Sequence, residues 1–497
     1  MMVSFSKIPN QIRVPLFYAE FDNSQANTAT ATQRTLIIGQ QLDSSSQAAN
    51  IPALASSAST VAGLYGDGSM LHSLIAAYLA NDSSAIIHVL PLADDATAMT
   101  AATGTLTVAS APSATGVISL YIAGARVQLT VTATDSVSEI ATALAAKINA
   151  KSGMPVTAIA AAAVITLTAK NRGAHGNDID LRLNYQGSTG GESMPSGLTL
   201  TITAMAGGLG APELDDALAN LGDTSYDFIV NPYTDTTSLD AVKSFLDDST
   251  GRWSYNQLLY GHAFGCVAGS YGVLTAKGEA RNNQHETLLG VYGSPTPAYV
   301  WTAALVGAIA PSVRNDPGRP TQTLDISGVL APPKESRFQW AERNNLLFSG
   351  ISTFTVADDD SVQVENIITT YQKNSYGAED DSYLQIETLY LLMFVTRYLR
   401  TQITSKFPRM KLAADGTRFA PGQAIVTPKI IKAELIAQYT TLEYNGYVQD
   451  TDGFADGLLV EQDTSNPNRV NVLWDGVLIN QLRIFAVLNQ FRLQASA

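Results

Sequence analysis

Residues 35–39, TLIIG, and residues 85–90, AIIHVL, are short apolar runs of strand length, and between them 68–80 sets Leu71, Leu74, Ile75, Tyr78 and Leu79 at helical spacing. Strand, helix, strand in that order is a parallel crossover unit, so the region predicts an α/β domain. Ahead of it, Ile12, Val14, Leu16 and Tyr18 alternate around Pro15 and a polar Ala, Thr, Asn and Ser-rich run follows. That reads as an extended arm over 1–30, with proline marking an edge or a bulge.

Composition changes abruptly after the first crossover. From 94 to 210 only Tyr121 and Tyr185 are aromatic, against a chain total of 20 Tyr, 15 Phe and 4 Trp. Strand-like alternation over 104–108, 116–122, 125–132 and 163–169 surrounds 136–150, SVSEIATALAAKINA, whose Val137, Ile140, Leu144 and Ile148 share a helical face. Asp135 or Ser136 is placed to cap that helix, with Glu139 three residues after Ser136. The stretch predicts a separate β-rich module ending at the Gly207, Gly208, Gly210 cluster.

Strand and helix alternation then resumes with strands at 227–230 and 263–268 and helices at 238–246 and near 271–281, so 94–210 reads as an insertion into one α/β domain, split as 31–93 and 211–335. Prolines 311, 317, 320, 332 and 333 predict a linker or long loop over 311–335. A C-terminal domain is expected over 336–480: a helical start near Phe338, strands at 350–356 and 362–368, a periodic helix at 383–406, and a second at 429–442 with Pro428 in its first turn. Strand character returns in Val470, Val472 and Trp474, and then in Phe485, Val487, Asn489, Phe491 and Leu493 of a terminal arm at 481–497. The fold class is thus α/β, with an inserted β-rich domain and an α+β C-terminal domain carrying extended terminal strands.

A length of 497 residues is roughly three typical domains. Hydrophobic residues are 45% and charged residues only 15%, which excludes a largely disordered chain and leaves few charges to solvate a surface; much of that surface is expected to face other protein. A net charge of −14 argues against general affinity for nucleic acid or anionic lipid. Cys266 is the one cysteine, so no internal disulfide forms. Residues 1–9 lack the apolar run of a secretory signal, and the apolar stretches 300–310 and 389–395 fall short of the ~20 residues that span a bilayer.

No catalytic motif is found. There is no GxxxxGK[ST]; GVLTAKG at 272–278 and GLYGDG at 63–68 only imitate phosphate loops. AGSYG at 268–272 misses the serine-hydrolase elbow at its first position, and His72, His88, His175, His262 and His285 show no ligand spacing. The acidic runs 358–360 and 379–381 read as solvated turns or helix starts. Asp450–Glu461, DTDGFADGLLVE, comes nearest to a calcium loop, with Phe454 at a ligand position and Ala455 where glycine is required.

Charge distribution says more. Arg397, Arg400, Lys406, Arg409, Lys411, Arg418, Lys429 and Lys432 face one acid, Asp415, across 397–432. Such a cluster either complements a helix end or forms a contact surface for an acidic partner, including another copy of the chain. The two terminal strands likewise either finish their own sheet or pair with neighbours in head-to-tail contacts that build a helical polymer.

The run VSFSKIPNQIRVPLFYAEFDNS at 3–24, TQRTLIIGQ at 32–40, GVISLYIAGARVQLTVTATDSVSEIATALAAKIN at 116–149, RNDPGRPTQTLDISGVLAPP at 314–333 and VNVLWDGVLINQLRIFAVLNQFRL at 470–493, taken as an ordered set over the whole chain, resembles the contractile tail sheath proteins of bacteriophages, those of Mu-like phages above all. The resemblance implies a structural subunit of the virion and not an enzyme, without cofactors, assembled in the host cytoplasm into a helical polymer around a tail tube and contracting to drive the tube through the host envelope. It implies as partners other copies of the chain, the tube protein, and baseplate and tail terminator proteins, with no direct nucleic acid contact and no membrane insertion. It also implies arms at 12–21 and 484–493, with Ile12, Val14, Leu16, Phe17, Ile484, Val487, Leu488 and Phe491 as subunit-linking residues received by 350–368 and the helices 383–406 and 429–442. Arg397, Arg400, Lys406, Arg409 and Lys411 become the expected tube or inter-subunit contact. A non-contractile virion protein, of shell or tail, is the alternative.

Overall fold

The computed structural model describes residues 33–493. The expected N-terminal arm, with Ile12, Val14, Leu16 and Phe17, lies outside the described residues.

The TLIIG run forms the strand Arg34–Gln40, buried from Thr35 onward, as a parallel strand covered on both faces must be. It sits near the middle of an eight-stranded sheet in the order Val362–Asn366, Ile351–Val356, Glu286–Val291, His262–Ala268, Phe228–Val230, Arg34–Gln40, Ile86–Leu92, Ala53–Ala55. The six inner strands are parallel, with Thr35 opposite Ile87 on one side and Phe228 on the other; both edge strands are antiparallel. The helix Met70–Leu79 starts at Ser69, whose side chain accepts from the His72 amide, and it buries Leu71, Leu74, Ile75 and Tyr78.

Two expectations are corrected here. The linker expected over 311–335 begins too early, because Pro311 lies inside the helix Ala298–Asn315. Ten buried side chains of that helix, Trp301 among them, lie in the core. That burial outweighs the ~3 kcal/mol a mid-helix proline costs. The strands expected at 350–356 and 362–368 to open a C-terminal domain instead extend the large sheet, through parallel pairing of Leu288 with Ile351. Val395 of the helix Ile386–Lys406 and the chain after that helix form a core of their own, with Leu435, Tyr439, Leu442, Val448, Phe454 and Leu458.

Residues 102–205 contribute a further separate core. It is built from a four-stranded antiparallel sheet, a three-stranded one, and the helix Val137–Ala150, where Ser136 and Glu139 form a reciprocal capping box. Strands Val156–Ala161, Leu181–Leu183 and Thr199–Ala206 belong to it besides those read from the sequence.

Candidate functional site

In open parallel sheets ligands bind at the carboxyl ends of the strands, at the point where the strand order reverses. Here that point lies between Arg34–Gln40 and Phe228–Val230, and the chain's own residues fill it. Gln40, fully buried, donates through Nε2 to Asp94 Oδ1 at 2.7 Å and to the Arg172 carbonyl at 2.9 Å, while its Oε1 accepts from the Tyr233 hydroxyl at 3.2 Å. Arg172 closes over this group, its NH1 2.7 Å from both Asp94 Oδ2 and Asp43 Oδ2. Burial pushes the Asp94 carboxyl up, against hydrogen bonding from the Arg172 amide and the charge of its guanidinium. Asn171 takes the Met70 amide at 2.8 Å and gives to the Gln41 carbonyl at 2.8 Å.

His175 lies edge-on to Tyr233 and Tyr299, and burial lowers its imidazole to about 4, so it is neutral at pH 7. The adjoining cavity of about 10 Å³ has room for one water. Gly68 at its wall has φ +77°, and a Cβ there would stand 2.1 Å from the Met154 carbonyl oxygen, so only glycine lets this loop meet the inserted module. The crevice is thus plugged by Gln40, Asp94 and Arg172, hydrogen-bonded to one another.

A second cavity, of about 170 Å³, is lined by Tyr292, Phe338 and Phe354 with Arg337 and Arg343, whose guanidiniums pair with Asp360 and Glu365. Among the described residues no group of three or more His, Cys, Asp or Glu side chains could hold a metal ion. At 450–461, where Phe454 and Ala455 depart from the calcium loop, Thr451–Gly457 is a helix, and Asp450 caps it by accepting from the Gly453 amide at 3.1 Å. Among the described residues no helix is long and apolar enough to cross a membrane.

The expected contact residues divide. Arg397 is not on a surface: its guanidinium pairs with the fully buried Asp227 and donates to the Tyr260 carbonyl at 3.3 Å. Lys406 pairs with Glu434, while Arg400, Arg409 and Lys411 are exposed. Over 479–493 no strand forms, because among the described residues nothing pairs with that backbone. Ile484 and Leu488 are each 84% exposed, and Phe485, Val487, Phe491 and Leu493 are exposed as well. The strand expected at Val470 and Val472 forms, as Val470–Leu473, and pairs with Leu459–Gln462, which the sequence did not mark as a strand, in a two-stranded sheet with Leu459, Val472 and Leu473 exposed. Its signal was the alternation of Val470 and Val472, here paired with Gln462 and Val460.

The family profile described as the phage tail sheath protein central domain matches residues 207–370, and the phage tail sheath C-terminal domain matches 378–492. The Mu-like prophage FluMu tail sheath protein of Haemophilus influenzae is 41% identical over 493 residues, covering 99% of this chain and 100% of that protein. Among solved structures, the sheath tail protein Lin1278 of Listeria innocua aligns at 13% identity and TM-score 0.47, over 90% of this chain and 92% of its own. The anti-feeding prophage baseplate chain aligns at 11% and 0.49, over 97% and 100%.

Proposed function

Because this chain belongs to the phage tail sheath family, we propose that it is the contractile sheath subunit of a Mu-like bacteriophage, a virion component that polymerises helically around the tail tube and shortens to drive the tube through the host envelope for DNA delivery. The observation that carries this reading is the end-to-end match, 41% identity over 99% of the chain. The chain is a structural protein, in keeping with a switch-point crevice filled by Gln40, Asp94 and Arg172.

In this reading the terminal segments link neighbours. Burying Ile484, Phe485, Leu488 and Phe491 on another copy would contribute roughly 6–12 kcal/mol before the cost of ordering the segment. The hairpin Leu459–Gln462/Val470–Leu473 is the receiving surface we favour, since a two-stranded sheet leaves backbone groups on both outer edges for an added strand. The module at 94–210 is read as an outward-facing insertion, and Arg400, Arg409 and Lys411 as the contact toward the tube or a neighbouring subunit. The tube protein, baseplate and tail terminator would be the partners, met during assembly in the host cytoplasm.

Deleting residues 484–493 tests the reading. The truncated chain should keep the circular-dichroism spectrum of the parent and form no cylinders in electron micrographs, whereas normal cylinders would refute the linking role of this segment.

A further inference from the structure

The first strand of the large sheet starts at Arg34, and the last tethered residue before the exposed tail is Arg483. These two points are far apart in sequence, yet one helix is coupled to both, to Arg483 directly and to Arg34 through Asp227. Glu387, in the first turn of Ile386–Lys406, is fully buried; its Oε1 accepts from the Thr321 amide and hydroxyl at 2.9 Å each, and its Oε2 takes the Arg483 guanidinium. Arg397 of the same helix pairs with Asp227, whose other carboxylate oxygen accepts the Arg34 amide at 3.3 Å. Between them, the Tyr390 hydroxyl donates to the Asp227 carbonyl at 3.0 Å. Positions 387, 390 and 397 fall on one helical face, and the two charged couplings are about 15 Å apart along the axis.

We propose that the helix Ile386–Lys406 is a tie bar joining the roots of the two terminal segments, with Glu387–Arg483 and Arg397–Asp227 as its couplings, so that pull on one segment passes to the other through the helix. This rests on the reading that the segments bind neighbouring copies. Without the tie, pull at residue 34 would peel a strand from the sheet, and pull at residue 484 would act on isolated hydrogen bonds such as Ile479 N to the Tyr447 carbonyl, 3.1 Å. With it, both loads meet buried charge pairs, which resist because separating them leaves a charge uncompensated in a dry interior. The helix is suited to this, since Ile386, Tyr390 and Met393 sit in the sheet's core and Val395 in the C-terminal core.

The test is Arg483→Gln, made in the full-length chain and assembled into sheaths. Cylinders should form, because the tail is intact, but contraction should break them into fragments several-fold shorter than those of the parent, measured in negative stain. Contracted sheaths of parental length would overturn the tie bar while leaving the linking role intact; that role fails separately if deletion of 484–493 still allows cylinders. If Arg483→Gln does not fold, hydrogen exchange on parent sheaths decides. Amides of 390–398 and the Ile479 amide, bonded to the Tyr447 carbonyl, should stay protected before and after contraction, and loss of protection in the contracted state would overturn the proposal.

Discussion

Replacing Arg397 with methionine keeps most of the side chain's bulk and removes its charge. Asp227 would then lie fully buried with the Arg34 amide at 3.3 Å as the remaining donor to its carboxylate recorded from another residue. Removing one partner of a buried ion pair costs about 3–5 kcal/mol. A ceiling follows from titration, since the carboxyl can escape by taking a proton, and for an unfolded-state pKa of ~3.9 that costs about 4 kcal/mol at pH 7. Burial already pushes the Asp227 carboxyl up against the pull of Arg397, and the variant loses that pull. A folded-state pKa raised above the unfolded value means the native state binds more protons, so the variant gains stability as pH falls toward ~4. The ceiling at pH 5 is about 1.5 kcal/mol. Urea denaturation at the two pH values, with hydrogen exchange of Phe228–Val230 as the local probe, should show a large deficit at pH 7 that shrinks at pH 5. Adding Asp227→Asn should recover most of the loss. A parental urea midpoint for Arg397→Met, or a deficit independent of pH, would refute the interior role and return Arg397 to a surface contact.

Tyr439→Phe removes a hydroxyl that donates to the Gln449 carbonyl at 2.6 Å and accepts the Val477 amide at 2.9 Å, so a loss of about 1–3 kcal/mol is expected, with faster exchange of the Val477 amide. Arg409→Glu with Lys411→Glu, both exposed, should leave the melting temperature unchanged and impair assembly on the tube; normal sheathed tails would remove that contact.

Legibility followed burial. TLIIG and AIIHVL were readable because strands covered on both faces need unbroken apolar runs, and the helix at Met70–Leu79 because one face only is covered. Glu286–Val291 carries a weaker signal, because its first residue is charged, and that buried charge is balanced by Arg281, whose Nε is 3.0 Å from its carboxylate. Pro311 hid the C-terminal end of a helix whose stability comes from packing, not from its local sequence. Arg397 looked like surface because Asp227 is 170 positions away. Phe485, Val487 and Phe491 alternate as a strand would, yet alternation supplies only the side chains, and none of the described residues supplies the backbone partner that makes a strand.

The unpaired tail bears on the proposed contraction. Gln40, Asp94 and Arg172 are hydrogen-bonded to one another across the switch point. In the proposed reading, work is stored in contacts between copies, as a metastable packing that relaxes to a tighter one. Such a relaxation is useful only if subunits stay joined while their faces slide, which asks for connections independent of the faces. An exposed tail rooted in a buried ion pair meets that requirement: the residues from Ile484 onward are exposed, while Glu387 and Thr321 hold Arg483 at its base. Flexibility and anchorage therefore change over at a single residue, Arg483, which makes that position the sharpest place to separate polymerisation from survival of the polymer under load.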